Sequence, residues 1–144
     1  MTTAYQDVSI LMVEDDDIDA MAITRAFKKL RLLNPLVRAK DGLEALEYLR
    51  GENGKENLSR PNIILLDINM PRMSGLELLE EIRNDKNLSD AVVFILTTSK
   101  SDEDVVAAHK HNVAGYIVKS DMGNGFVSVI ELLNSYWKVV VLPS

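Results

Sequence analysis

The sequence predicts an α/β domain in which five parallel strands form one sheet with helices on both faces. Two observations carry that expectation. Short unbroken apolar runs, Ile10-Leu11-Met12-Val13, Ile63-Ile64-Leu65-Leu66 and Val92-Val93-Phe94-Ile95-Leu96, have the length and pattern of strands buried on both faces. Segments with helical apolar spacing separate them, which is the alternation that builds βαβ units. A third observation locates the chemistry. The runs end in Glu14-Asp15-Asp16, Asp67 and Thr97, and a further short run ends in Lys119. Open α/β sheets place ligands at such carboxyl ends.

After the first run, Asp16 or Asp17 can cap a helix whose apolar positions include Ile18, Met21, Ala22, Phe27 and Leu30. Asn34-Pro35 breaks it, and Leu36-Val37-Arg38-Ala39 forms a short second strand. Asp41-Gly42 opens the next helix, with Leu43, Leu46 and Leu49 expected inward. Residues 51–60 are polar and predict a mobile surface loop. The Asp67 strand leads through Met70-Pro71-Arg72-Met73-Ser74-Gly75 into a helix with Leu76, Leu79 and Ile82. Beyond Thr97, Ser101 or Asp102 caps a helix over Val105-Val106-Ala107-Ala108. Asn112 suits a left-handed helix end before the fifth strand, Tyr116-Ile117-Val118. A last helix is expected over about residues 125–138. Right-handed crossovers restrict how such a chain winds. The flavodoxin-like strand order 2-1-3-4-5 brings Glu14 and Asp15 beside Asp67, with Thr97 and Lys119 on the strands that follow.

At 144 residues the chain fits a single domain, 1–144, with an apolar tail over 139–144 and no attached output domain. Its 47% hydrophobic and 26% charged residues are those of a soluble globule. A net charge of −6 without a basic run argues against nucleic acid as a direct partner. The absence of cysteine removes disulfides, thiol nucleophiles and cysteine-based zinc sites. No signal peptide is legible at the N-terminus, and no apolar stretch approaches the ~20 residues of a membrane span. A cytoplasmic location is expected.

Clustered carboxylates repel one another unless a cation intervenes. A hard divalent ion with oxygen ligands is the natural neutraliser, and magnesium suits a sparse shell of carboxylates completed by phosphate oxygens. Asp67 could then attack phosphorus as a carboxylate nucleophile, while Lys119 and the Thr97 hydroxyl hold the phosphoryl oxygens. Each residue alone has a plainer reading, as a solvated turn acid, a helix cap, a surface lysine or a β-favouring threonine. Five such residues at four successive strand ends carry the chemical reading together.

Those residues resemble the receiver domain of two-component response regulators over nearly the whole chain. The matching stretches are Val13-Glu14-Asp15-Asp16, residues 66–75, Leu96-Thr97-Thr98-Ser99 and Gly115-Tyr116-Ile117-Val118-Lys119. The resemblance implies that Asp67 accepts a phosphoryl group from a sensor histidine kinase. It also implies that Asp15 binds Mg2+ directly, that Glu14 acts through water, and that Asn69 offers its backbone carbonyl. Thr97 and Tyr116 would be the switch pair, Lys119 would contact the phosphoryl group, and Asn69 and Ser99 stand where hydrolysis is tuned. One departure is Ser120 after Lys119, where receivers commonly carry proline. A narrower likeness, to stand-alone regulators paired with bacterial phytochromes, rests on Leu96-Thr97-Thr98-Ser99, Lys119-Ser120, the loop at 51–60 and the ending Tyr136-Trp137 through Leu142-Pro143-Ser144.

Phe126, Val129, Ile130, Leu133 and Trp137 make one apolar stripe on the last helix, enough for core packing. Val127, Leu132, Tyr136 and Val140 widen it beyond what one sheet face needs, and predict a homodimer through this helix. Two other functions compete. A haloacid-dehalogenase-type phosphatase also uses an aspartyl phosphate and Mg2+, but needs a second acid two residues beyond the nucleophile. That position is Asn69 after Asp67, and Asp17 after Asp15, where a helix is already starting. An unphosphorylated pseudo-receiver, acting only as a binding module, is the other. An EF-hand fails because Ala20 and Ala26 replace its glycine and glutamate. His109 and His111, two apart on a helix, cannot face one metal.

Overall fold

The computed structural model describes residues 9–29, 36–55, 62–68, 70, 73–97 and 111–118. Within them the elements run β1 (Ser9–Val13), α1 (Asp17–Lys29), β2 (Leu36–Ala39), α2 (Gly42–Arg50), β3 (Asn62–Asp67), α3 (Gly75–Asn84), β4 (Val92–Thr97) and β5 (Gly115–Val118). The strands form one five-stranded sheet in the order β2-β1-β3-β4-β5, and every pairing is parallel. Both the strand order and the five apolar runs agree with the sequence reading. The helices expected over 105–108 and 125–138, and the apolar tail, lie outside the described residues.

The central strands β1 and β3 are buried on both faces because their apolar runs have no polar side to present. Leu11, Val13, Ile64, Leu66, Val93 and Ile95 share one core cluster with Ala45, Leu46 and Leu49 of α2 and Leu78, Leu79 and Ile82 of α3. Ile10, Met12, Ile63, Leu65 and Leu96 alternate with them and are equally buried. Right-handed crossovers in this strand order put α1 on one face and α2 and α3 on the other.

Two expectations about helix faces need correction. Ile18 and Met21 of α1 are 77% and 52% exposed, whereas Ala20 and Ile23 are buried. Leu43 of α2, expected inward, is 46% exposed. At roughly 100° per residue, Gly42, Ala45, Leu46 and Leu49 share one narrow face, and Leu43 falls on its flank. The helix limits are set by capping chemistry. Asp41 accepts a hydrogen bond from the Glu44 amide at 2.9 Å, and Gly51 ends α2 in the left-handed region at φ 68°. Ser74 and Glu77 form a reciprocal capping box at the start of α3.

Arg83, near the end of α3, ties three segments together. Its Nε donates to the His111 carbonyl at 2.7 Å, Nη1 to the carbonyls of Ser89 and Ala91 at 2.9 and 2.8 Å, and Nη2 to that of Asn112 at 3.0 Å. Burial pushes its pKa below the usual arginine value, against the opposing pull of Asp90. Asn112 itself is left-handed, at φ 59°, as its sequence position suggested. Arg83→Ala is expected to lower stability by about 1–2 kcal/mol in urea unfolding. Arg83→Lys should recover little of it, because an ammonium cannot span four carbonyls in a fixed fork.

Candidate metal and phosphoryl site

The site is built where β1 and β3 leave the sheet. Val13 stands opposite Leu66, so one step further along each chain brings Glu14 and Asp67 together. Both are carboxylates at the ends of apolar strands, and both are buried, at 0% and 3% exposure. Asp15 joins them from the solvent side. One carboxylate oxygen from each of the three lies within 4.8 Å of the others. Three hard oxygen donors converging at that distance, two of them withdrawn from water, can coordinate a divalent metal ion. The sequence-predicted acid cluster is therefore assembled by the fold.

The acids that follow are used differently. Asp16 caps α1, its Oδ1 accepting from the amides of Ile18 and Asp19 at 2.8 and 3.0 Å. Its own amide donates to Glu14 Oε2 at 3.1 Å. Asp17 is 2.7 Å from Nη1 of Arg38, and that guanidinium holds its carboxyl below the usual carboxylate range. A lowered native pKa means the pair stabilises the fold fully above the ordinary aspartate range and loses that effect as pH falls through the lowered value. Asp17→Asn should cost a small amount of stability near pH 7, a difference that shrinks away in urea unfolding as pH falls through the lowered value.

Thr97 closes β4 and is fully buried. Leu96 pairs with Asp67, and the Ile68 amide donates to the Leu96 carbonyl at 3.2 Å, extending the ladder past the acid. Thr97 therefore ends one step beyond the residue opposite Asp67. Tyr116 lies opposite Ile95 on the edge strand β5 and is 36% exposed. Lys119, Asn69 and Ser99 lie outside the described residues, as do Val127, Leu132, Tyr136 and Val140. His111 lies 3.9 Å from Glu80 and takes no part in the carboxylate group.

Two features of the site were not read from sequence. Arg38 donates from Nε to the Glu14 carbonyl at 2.9 Å while it bonds Asp17. The one charged residue in an otherwise apolar edge strand was its available signal. Gly75 starts α3 hard against the end of β3. Its amide donates to the Ile68 carbonyl at 3.0 Å, and a Cβ there would stand 2.5 Å from Ile68 Cα and 2.6 Å from the Asp67 carbonyl oxygen. Nearby, the Met73 side chain fills the space that a Cβ on Gly42 would need, which braces the β3–α3 connection against α2.

The profile of the response regulator receiver domain matches residues 10–130. Response regulator Rcp1 of Synechocystis sp. is 35% identical over 136 residues, which cover 94% of this chain and 92% of Rcp1. Among solved structures, the phosphorylated cyanobacterial phytochrome response regulator RcpA superposes with a TM-score of 0.80 at 34% identity, covering 94% of this chain and 98% of that one. The Mn2+-bound form of Rcp1 gives 0.78 at 35% identity, covering 95% and 99%. No helix among the described residues is long and apolar enough to cross a membrane.

Proposed function

The chain belongs to the family of response regulator receiver domains, and from that membership we propose that it accepts a phosphoryl group on Asp67 from a phosphohistidine of a sensor kinase. The convergence of Glu14, Asp15 and Asp67 from two adjacent strand ends carries this reading. Asp15 and Asp67 would hold Mg2+ directly, with Glu14 acting through water and Asn69 through its backbone carbonyl. An ion held there would supply positive charge that offsets the carboxylates and the phosphoryl oxygens. An Asp67 oxygen then forms the new O–P bond as the donor's N–P bond breaks, and the imidazole leaves with the electron pair and takes up a proton. Asp67 attacks as an anion, so it needs no base of its own. The Thr97 hydroxyl and the Lys119 ammonium stabilise the charge on the transferring oxygens.

The buried position of Thr97 and the rim position of Tyr116 suit a switch in which phosphate draws Thr97 toward the site and Tyr116 turns inward. A population shift between two such states would alter the outer face of the β5 side of the sheet. Ser99 and Asn69 tune hydrolysis in this reading, and Val127, Leu132, Tyr136 and Val140 join two copies of the chain. The relatives described as phytochrome or bacteriophytochrome response regulators support a phytochrome-type kinase as the donor. The phosphatase alternative loses its candidate acid, because Asp17 is engaged with Arg38 rather than in the carboxylate group.

The test uses the phosphorylated kinase region of a bacterial phytochrome with labelled phosphohistidine. Label should move to this chain in the presence of Mg2+ and not to its Asp67→Asn variant. Repeated turnover of a phosphomonoester, with no stable labelled protein, would instead support the phosphatase.

A further inference from the structure

Glu14 and Asp15 are neighbours in sequence, so the peptide plane between them decides whether their two carboxylates reach one point. That peptide carries the Glu14 carbonyl, to which Arg38 Nε donates at 2.9 Å. The same guanidinium donates to Asp17 Oδ1 at 2.7 Å, on the first residue of α1. Arg38 extends from β2, whose Ala39 carbonyl accepts the Glu14 amide at 3.0 Å. One side chain thus braces the strand end, the peptide joining the two acids and the start of the following helix. Its side chain is 23% exposed, so the bond to the Glu14 carbonyl is partly shielded from water, while the bond to Asp17 is exposed.

We infer that Arg38 is a positioning residue for the divalent cation, orienting Glu14 and Asp15 through the peptide that links them. The inference rests on the reading of Glu14, Asp15 and Asp67 as the metal site. A guanidinium beside a cation site repels the cation, so on charge alone its removal tightens metal binding. As an orienting group its removal loosens binding, because outer partners that fix ligand geometry contribute about tenfold or more to metal affinity.

The test titrates Mn2+ into the whole chain, reading free Mn2+ by electron paramagnetic resonance, with Mg2+ as competitor and urea unfolding as a check on folding. Arg38→Met is expected to weaken Mn2+ binding about tenfold despite losing a positive charge. Arg38→Lys keeps the charge but cannot make both bonds, and should weaken binding similarly; it carries the test if Arg38→Met fails to fold. Tighter binding in Arg38→Met with no change in Arg38→Lys would overturn the inference and leave Arg38 a simple countercharge. Asp15→Asn separates the layers. If it abolishes Mn2+ binding while both Arg38 variants bind like the parent, the positioning role alone falls. If the parent itself binds no Mn2+, the reading of the metal site falls with it.

Discussion

Asp67→Asn is expected to abolish phosphoryl uptake completely while the protein remains folded. Asparagine keeps the shape of the side chain at a position only 3% exposed, so the packing of β3 against β1 and β4 is retained. The amide cannot act as an anionic nucleophile toward phosphorus, and it withdraws one of three charges from the carboxylate cluster. Metal-free stability should stay within about 1 kcal/mol of the parent. The response to Mg2+ should separate the two proteins much further. A ligand that binds only the native state stabilises it by about 2.7 kcal/mol at a hundredfold excess over its Kd. The parent should show a rise of that kind in urea unfolding with Mg2+, and Asp67→Asn a much smaller one.

Gly75→Ala is expected to lower stability by about 2–3 kcal/mol and to cut the rate of phosphorylation together with it. The added methyl would lie 2.5 Å from Ile68 Cα and 2.6 Å from the Asp67 carbonyl oxygen. Both are backbone atoms, so no rotamer change relieves the contact. Either α3 lifts away, losing the bond from the Gly75 amide to the Ile68 carbonyl, or the end of β3 moves and carries Asp67 with it. Gly42→Ala should be milder, because the atoms in its way belong to the flexible side chain of Met73. Urea unfolding and phosphorylation rates measured side by side on the two variants test this ordering.

The sheet and its order were legible because apolar runs such as Ile63-Ile64-Leu65-Leu66 admit few other readings, and the acids that end them mark where the sheet meets water. The convergence of Glu14, Asp15 and Asp67 followed from adjacent strand ends once the order was inferred. Helix faces were harder to read. α1 carries more apolar residues than its buried stripe can hold, so composition nominated Ile18 and Met21 while the fold buried Ala20 and Ile23. Leu43 misled in the same way, since at a helix start the face is fixed by docking rather than by the first large side chain. Arg38 and Arg83 escaped notice for a different reason. Arg38 bonds the Glu14 carbonyl, and Arg83 those of His111 and Asn112, all more than twenty residues away, and carbonyls carry no residue-type signal.

The most direct test of the account is the intact mass of the chain after incubation with acetyl phosphate, with and without Mg2+, beside Asp67→Asn. The account predicts the gain of one phosphoryl group that requires both the divalent ion and Asp67. An equal gain in the Asp67→Asn variant would contradict it by placing the phosphoryl group on another residue, and no gain in a folded parent that a phosphorylated kinase also fails to modify would contradict it and leave a binding module that works without phosphate.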